Sequence, residues 1–319
     1  DGTDFRLHVC VDLPDRRFSH AELTNKHGGE SFTRFKVVEN DIYVGDRAYG
    51  TPKGVGHVVS GGGIPLVRIT TSGLPLSTAD GERIDLLGVA RSLQPGQMLD
   101  LDASAKTPQV GAVAGRLCIY ALSEEDARRA ERRVQRCANR KRGRPAGVRA
   151  VEASRYIFIF TTAPRSLMSV GQVFACYRLR WQVELAFKLM KTVLHFGKLP
   201  NHRDDTARTW LLAKLINALL LDRLARADQR AFPPAKSPPD AAANRLRSPH
   251  RVVAFLRVAL ATALLGDASL TERARVLRDP QALPRLANGR PARQIEAFVA
   301  QRPSLAERLG FIEDARHVG

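Results

Sequence analysis

The sequence predicts an α/β protein that opens with β-strands, continues with strands and helices in alternation, and ends in a helical tail. Two short runs near the start, FRLHVCVDL (5–13) and RFSHAELTN (17–25), flank Pro14 and Asp15, which is the pattern of a β-hairpin. Longer apolar runs with helical spacing dominate the second half. With 319 residues, 44% of them hydrophobic, the chain is long enough to form two domains.

Further strands and helices follow from the same patterns. DIYVGD (41–46) and PLVRIT (65–70) predict a third and a fourth strand, with a short helix between them. YIFIFTTA (156–163) predicts another strand, and residues 169–194 predict one or two long helices. The proline-rich stretch 232–243 is typical of a linker.

The sequence changes character three times, which predicts four segments. Residues 1–70 hold the first strands, whereas residues 71–155 alternate short apolar pieces with Pro, Gly and Asp and end in a basic helix. Residues 156–230 return to long apolar runs, and residues 231–319 contain the linker and the helical C-terminal tail. These boundaries delimit candidate domains.

The net charge points to a polyanionic partner. Fifty Lys and Arg residues against 32 Asp and Glu give a formal charge of +18 and a pI near 10.6. Phosphate groups favour such an excess because binding them releases counterions. No run of about 20 apolar residues is present that could span a membrane. We therefore expect a nucleic acid partner and no membrane association.

The helix that closes the second segment concentrates this charge. Ten Lys or Arg residues lie between Arg128 and Arg149, both included. One interpretation is a solvated helix followed by a flexible loop, and the other is a positive surface that follows a phosphate backbone. The charge of the whole chain favours the second interpretation.

The cysteines and histidines show no metal-binding pattern. Four cysteines lie far apart without a C-x-x-C pair, which favours reduced thiols in a reducing cytosol: Cys10, Cys118, Cys137 and Cys176. The eight histidines have no metal-ligand spacing, and His8 is expected to be buried within its strand. Nothing in this pattern predicts a zinc site.

The stretch YRLRWQVELAFKLMK (177–191) places a polar stripe on an apolar helix. At about 100° per residue, a phenol, a carboxylate and three cations fall within about 80° of arc: Tyr177, Arg180, Glu184, Lys188 and Lys191. A solvated face with an Arg180–Glu184 pair is one interpretation. A surface that binds phosphodiester is the other, and it explains why cations outnumber the carboxylate in the stripe.

Glu184 is a candidate metal ligand because two-metal phosphoryl transfer uses ions held by acidic oxygens. A single carboxylate is not enough for such a site. Asp46 is the best second candidate, since it ends a predicted strand, and the neighbouring Arg47 and Tyr49 supply groups that bind phosphate. The alternative for Asp46 is a purely structural role as the cap of the next helix.

Four polar residues stand at the spacing Y-x2-R-x3-E-x6-K: Tyr177, Arg180, Glu184 and Lys191. This spacing resembles the Y-R-E-K signature of the insertion-sequence-four family of DDE transposases. GDRAYG (45–50) is similar to the family's second-aspartate segment, D-R-G-Y, with Ala48 in place of the glycine. GTDFRLHVCVDL and AELTNKHGGESF resemble the segments between the family's first two aspartates. The resemblance covers about residues 1–225.

The resemblance implies an RNase H-like catalytic core, a mixed sheet flanked by helices, into which residues 71–155 are placed as a β-rich insertion. It implies metal-dependent DNA cleavage and strand transfer at the ends of an insertion element, with two Mg²⁺ or Mn²⁺ ions. Asp46 would then be the second metal-binding acid and Glu184 the third. Contacts with the DNA end are implied for three signature residues: Tyr177, Arg180 and Lys191.

Three further residues are expected to help hold the DNA backbone. Lys188 belongs to the same stripe as the signature residues, and Arg47 and Tyr49 follow Asp46. The partners implied by the resemblance are double-stranded DNA, both element ends and target, and a second copy of the chain on paired ends. The implied location is the bacterial cytoplasm, with association to the nucleoid through DNA.

The first catalytic aspartate of the family has no convincing match. The triplet D-G-T, typical of that position, opens the chain at Asp1, but residues 2–8 resemble a G-T-D-W-R-L-H segment that follows the acid. We therefore expect the first strand and its aspartate to lie upstream, with Asp1 as the alternative, and the chain to be an N-terminally truncated transposase. A chain without the first aspartate would lack one of the three metal-binding acids. Two alternative functions are a non-catalytic DNA-binding remnant of a transposase and a general RNase H-like nuclease.

Overall fold

The computed structural model describes residues 5–13, 17–184, 187, 191, 199, 203–231 and 297–309. Its strands are β1 (Phe5–Asp12), β2 (Arg17–Asn25), β3 (Ile42–Gly45), β4 (Ile64–Arg68), β5 (Leu76–Ser77), β6 (Met98–Thr107), β7 (Gly111–Ala121) and β8 (Tyr156–Thr161). Its helices are α1 (Pro52–Ser60), α2 (Leu86–Ala90), α3 (Glu124–Arg142), α4 (Val148–Ala153), α5 (Val170–Arg178), α6 (Asp204–Ala231) and α7 (Pro303–Arg308). The chain divides into two compact units, Gly29–Arg180 and Asp1–Gly28 with Trp181–Gly319.

The unit Gly29–Arg180 is built on a six-stranded mixed sheet with the strand order β3-β4-β8-β7-β6-β5. β3 and β4 are parallel, with Ile42 opposite Ile64 and Gly45 opposite Val67, and the other neighbours are antiparallel. Because parallel strands require a crossover, α1 connects the two. The predicted α/β class and the predicted strands β3, β4 and β8 are confirmed.

Residues 71–155 contribute three strands to this same sheet. β6 and β7 pair along ten positions, from Met98 opposite Tyr120 to Thr107 opposite Gly111. β8 then joins β7 to β4, so the strands of this segment share a continuous core with the strands around them. The largest completely buried side chains of that core include Leu66, Leu117, Ile119, Ile159 and Phe160.

The other unit contains the hairpin that the first residues predict. β1 and β2 are antiparallel, with Phe5 opposite Asn25, and α6 packs against β2. The apolar side chains that meet here come from the hairpin, from α6 and from the residues before it: Val9, Leu7, Phe18, Ala21, Val183, Phe187 and Ala218. His8 is buried as expected, and its Nε2 lies 2.9 Å from Oγ1 of Thr24.

The C-terminal part is described only around α7. Residues 297–301 are helical and precede α7, and Phe298, Leu305 and Ala306 are buried. The predicted linker at 232–243 lies outside the described residues. None of the described helices combines the length and the apolar character needed to cross a membrane.

Candidate functional site

Asp46 directly follows β3, at the end of the parallel pair. Its side chain is half-buried, and Oδ1 accepts the N–H of Ala48 at 2.9 Å, which turns the chain away from the strand direction. The cap of α1 is instead Thr51, whose Oγ1 accepts the N–H of Gly54 at 3.1 Å. Capping α1 is therefore not the role of Asp46.

The turn after Asp46 is held tightly between the aromatic core and the end of β4. A Cβ on Gly45 would lie 2.7 Å from Cζ of Phe32, and a Cβ on Gly50 would lie 2.6 Å from the carbonyl oxygen of Arg68. Both distances exclude any residue larger than glycine without a local shift. The Tyr49 ring packs on Phe32 with a centroid distance of 4.9 Å. Arg47 is exposed.

Arg68 is the site residue that sequence reasoning missed. It ends β4, one position beyond the pairing of Gly45 with Val67, so it lies at the same sheet end as Asp46. Burial lowers the pKa of its guanidinium; Tyr177 opposes that change by attraction and through a side-chain hydrogen bond, and Arg47 and Arg180 lower it further. Arg68 thus lies close to residues from two distant parts of the sequence, Arg47 in one and Tyr177 with Arg180 in the other.

Tyr177 reaches Arg68 because α5 packs against β3 and β4. Ser169 begins this helix in a capping box, in which its Oγ accepts the N–H of Gln172 and its own N–H donates to Oε1 of Gln172. Val173, Phe174 and Cys176 bury one side. Two turns after the cap, Tyr177 lies half-exposed, and the Arg180 guanidinium sits 5.8 Å from the centre of its ring.

Of the one or two helices predicted over residues 169–194, the structure shows two helical pieces within residues 170–184, so the wheel drawn for one helix starting at Tyr177 does not apply across them. α5 ends at Arg178, and the N–H groups of Leu179 and Arg180 bond three residues back, to the carbonyls of Cys176 and Tyr177. Residues 181–184 are helical again. The turn at 179–180 departs from about 100° per residue, so a wheel calculated for one α-helix does not carry the predicted arc from Tyr177 to Glu184.

Glu184 belongs to the other unit and is exposed. The neighbouring Val183, together with Phe187, packs on the cluster formed by Val9 and Ala218, which anchors this helical turn. Lys191 is also exposed and helical, whereas Lys188 and Asp1 lie outside the described residues. The geometry of Glu184 is therefore that of a solvent-facing carboxylate on an anchored turn.

The donor chemistry at these positions suits a hard divalent cation. Asp46 uses one oxygen for the Ala48 N–H, and carboxylate oxygens are the ligands that Mg²⁺ and Mn²⁺ prefer. Within the described ranges, no three His, Cys, Asp or Glu side chains come together as a metal-binding group. Asp46 and Glu184 are thus acceptable as individual ligands, each in its own unit.

A buried ion cluster holds the loop that leads into α5. Arg116 of β7 donates to both carboxylate oxygens of Asp100, at 3.1 and 2.8 Å, and also to the carbonyls of Ala163 and Met168, each at 2.9 Å. Arg165 approaches the same carboxylate from the loop, at 3.1 and 3.2 Å. The path from β8 to Tyr177 is fixed by these bonds.

Comparison with known proteins identifies the family of this chain. Residues 7–220, which include Asp46, Arg68, Tyr177 and Glu184, match the model of the family described as "Transposase DDE domain". The chain belongs to the transposase DDE domain family. The matched span begins in β1 and ends within α6, so it takes in strands and helices of both compact units.

Two relatives of this DDE domain chain illustrate its similarity to named proteins. It is 32% identical over 238 residues to the transposase for insertion sequence element IS421 of Escherichia coli. The same identity over the same length relates it to InsL, a protein named for insertion sequence element IS186A of Escherichia coli K12. Each alignment covers 73% of this chain, and the chain spans 64% of the length of either relative.

Proposed function

We propose that this chain belongs to a transposase of the insertion-sequence-four family, which cuts DNA at the ends of an insertion element and joins them to a target. The observation that carries the proposal is the grouping of Arg68, Tyr177 and Arg180 at the sheet end where Asp46 follows β3. An acid next to several cations is what a phosphodiester substrate requires. The DDE family match and the relatives named for insertion sequence elements support the same function.

The proposed architecture is an RNase H-like core formed by residues 1–70 and 156–230, with 71–155 as an insertion and 231–319 as a linker and tail. The parallel β3–β4 pair with its α1 crossover supports the core assignment. The pairing of β8 with both β4 and β7 supports an insertion whose strands extend the core sheet.

Asp46 and Glu184 are the proposed carboxylate ligands of Mg²⁺ or Mn²⁺. Such ions, when bound, polarise the phosphoryl group and lower the pKa of the attacking water. Asp46 directly follows β3 and its carboxylate accepts the Ala48 N–H, so its position is defined by the end of the strand and by this turn. Glu184 is exposed, and the neighbouring Val183 anchors its helical turn in the apolar cluster.

The cations and phenols of the site are proposed to hold the DNA backbone. Tyr177, Arg180, Lys191, Lys188, Arg47 and Tyr49 are the residues assigned from the sequence, and Arg68 is added by its contact with Tyr177. The stacking of Arg180 on the Tyr177 ring restricts the guanidinium, which lowers the entropy lost when it binds a phosphate. Arg68, already partly desolvated, gains attraction to an incoming phosphate because little water is left to screen it.

The reaction proposed is in-line phosphoryl transfer in two steps. Water attacks a phosphorus at the element end, the bond from phosphorus to the 3′ oxygen breaks, and that oxygen leaves as a 3′-hydroxyl. The 3′-hydroxyl then attacks a target phosphodiester, whose own 3′ oxygen leaves. The Arg68 and Arg180 side chains neutralise the charge of the phosphate, and these two and the Tyr177 hydroxyl orient it in both steps. A homodimer on paired ends, acting on DNA in the bacterial nucleoid, is part of the proposal.

The test is a nicking assay on a duplex that carries an element end, with the chain expressed in its complete reading frame. Glu184→Gln and Asp46→Asn should each lower Mg²⁺-dependent nicking at least about a thousandfold, because a metal ligand is lost, while DNA binding is retained. Glu307→Gln and Asp41→Asn, which alter exposed acids elsewhere, are the matched controls.

The outcomes separate the three candidate functions. Loss of nicking in both site variants with full activity in the controls supports the transposase. Binding to end DNA with no nicking by the unmodified protein would instead support a non-catalytic remnant. Nicking without joining to target DNA would support a general nuclease. Full nicking by Glu184→Gln would refute the assignment of Glu184.

A further inference from the structure

Helix α3 is fastened to the sheet along one side. Ser123 caps its start by accepting the N–H of Asp126 at 3.2 Å, and Ala127 is buried. Arg155, which precedes β8, donates to Glu124 and Glu131 of α3 at 2.8 Å each. On the helical wheel, Glu124, Ala127 and Glu131 lie within about 60° of one another. The orientation of α3 about its own axis is therefore fixed.

A ridge of arginines winds along α3 from beside the anchored side to the side opposite it. Four of them follow one another at intervals of four residues, and all are exposed: Arg128, Arg132, Arg136 and Arg140. At about 1.5 Å per residue, this arginine ridge is roughly 18 Å long, which corresponds to about five base pairs of duplex at 3.4 Å each. Arg133 and Arg129 flank the ridge.

Local compensation does not account for this charge. The acids in the first turn are Glu124, Glu125 and Asp126, and they pair with Arg155 and Arg129. From residue 132 to residue 151 the sequence holds eight Lys or Arg residues and no acid. Cations at a helix C-terminus offset the helix dipole only within the last turn. That effect covers Arg140, whereas the charges of Arg132 and Arg136 are offset neither by it nor by the acids of the first turn.

The chemistry of the exposed side selects the partner. A helix that lies on a membrane inserts large apolar residues such as Trp, Phe or Leu beside its cations, and α3 contains none of these. A regular row of guanidinium groups without apolar neighbours instead matches a row of phosphates. We propose that the arginine ridge of α3 binds the backbone of duplex DNA without reading its sequence, a role that rests on the proposed transposase function.

The experiment measures binding of the full chain to a random duplex of about 30 base pairs by fluorescence anisotropy, from roughly 50 to 300 mM salt. The test variant is R132Q/R136Q/R140Q, since Gln keeps a similar helix propensity. R132K/R136K/R140K retains the charge. The matched control is K53Q/R83Q/K106Q, which removes three exposed cations from the same unit.

We expect the triple Gln variant to bind at least about tenfold more weakly at 50 mM salt, and its salt slope to fall by about 2.7, or 0.9 for each lost phosphate contact. The triple Lys variant should keep the slope of the unmodified chain. The K53Q/R83Q/K106Q control should change affinity less than about twofold. Circular dichroism of each variant verifies that α3 is retained.

Other outcomes overturn the ridge or the proposed function separately. Equal affinity and slope in the triple Gln variant and the control would refute the ridge, as would no binding by the unmodified chain. Tighter binding to duplex RNA, or to vesicles with anionic lipid, would refute DNA as the partner. Ridge-dependent binding together with complete absence of nicking on element ends would leave the ridge standing and refute the transposase proposal.

Discussion

Arg116 holds both carboxylate oxygens of Asp100, with Nε 3.1 Å from Oδ1 and Nη2 2.8 Å from Oδ2. Only 5% of the Arg116 side chain is exposed, against 49% for Arg165, which binds the same carboxylate from the loop before α5. The two arginines therefore differ in what their removal would cost. Removing Arg116 leaves the Asp100 carboxylate and the carbonyls of Ala163 and Met168 without hydrogen-bond donors that they now have.

Arg116→Met is expected to lower the free energy of unfolding by about 3 kcal/mol, because it breaks a buried ion pair from one side. Arg165→Met should cost less than about 1 kcal/mol, since an exposed pair is screened by water. Urea denaturation of both variants measures the difference. Equal effects of the two substitutions would mean that burial does not govern this cluster.

Gly50→Ala should disturb the site turn through its backbone contact. The added Cβ would lie 2.6 Å from the Arg68 carbonyl oxygen, so either the turn or the end of β4 must move. We expect a loss of about 1–3 kcal/mol in stability and weaker DNA-end binding. Gly171→Ala is the control, because nothing lies within 4 Å of its Cβ in α5 and Ala favours the helix. Its thermal midpoint should stay equal or rise.

How much of this site could be predicted depends on the range of the interactions involved. The strand β3, which Asp46 follows, was predictable because a short apolar run followed by a polar turn is a local pattern. The contact of Arg68 with Tyr177 was not, since it requires the parallel pairing of β3 and β4 and the packing of α5. A single cation at the end of the apolar run PLVR was the available signal.

The interruption at 179–180 was hidden for a different reason. The sequence LRW contains neither Gly nor Pro, and nothing local marks the change from four-residue to three-residue hydrogen bonding at Leu179 and Arg180. A helical-wheel calculation therefore holds within α5 and within residues 181–184, but it does not hold from one of these helical pieces to the other. The roles of Tyr177 and Glu184 stay predictions, as do the other site assignments.

The four cysteines should differ strongly in reactivity. Burial raises the pKa of the Cys118 thiol to about 12 and that of the Cys176 thiol to about 12. Cys137, by contrast, is exposed on α3. At pH 8 a thiol with a pKa near 12 is only ~10⁻⁴ ionised, so it reacts slowly. Iodoacetamide should label Cys137 in a fast phase that Cys137→Ser removes. Mass spectrometry in denaturant, where all four thiols should react, is the control.

The same two thiols predict how stability depends on pH. Their pKa in the folded protein is raised above the ordinary value of 9.0, so burial of the neutral form stabilises the fold fully below pH 9. This contribution is lost as the pH rises from 9 towards 12, because the unfolded chain ionises first. The free energy of unfolding should therefore fall over that interval, and it should fall less in Cys118→Ala/Cys176→Ala than in the unmodified chain, measured by urea denaturation at each pH.

Tyr177→Phe separates the hydroxyl of the proposed DNA site from its ring. The ring keeps its stacking with Arg180, while the hydrogen bond to Arg68 is lost, which leaves a partly buried cation without one of its partners. A hydrogen bond to a charged group contributes about 1.5–3 kcal/mol, so affinity for end DNA should fall roughly tenfold to a hundredfold. Tyr156→Phe is the matched control, because Tyr156 is a half-buried tyrosine in β8 that packs on Phe158.

Salt dependence decides whether the Tyr177 hydroxyl acts through Arg68. If it orients the guanidinium towards a phosphate, Tyr177→Phe should lower the salt slope by about 0.9, one phosphate contact, and Arg68→Gln should lower it equally. The double variant should then lose no more than either single one, because the two residues act as a unit. Additive losses in the double variant would mean that Tyr177 and Arg68 contact the DNA independently, and wild-type binding by Tyr177→Phe would remove the hydroxyl from the site altogether.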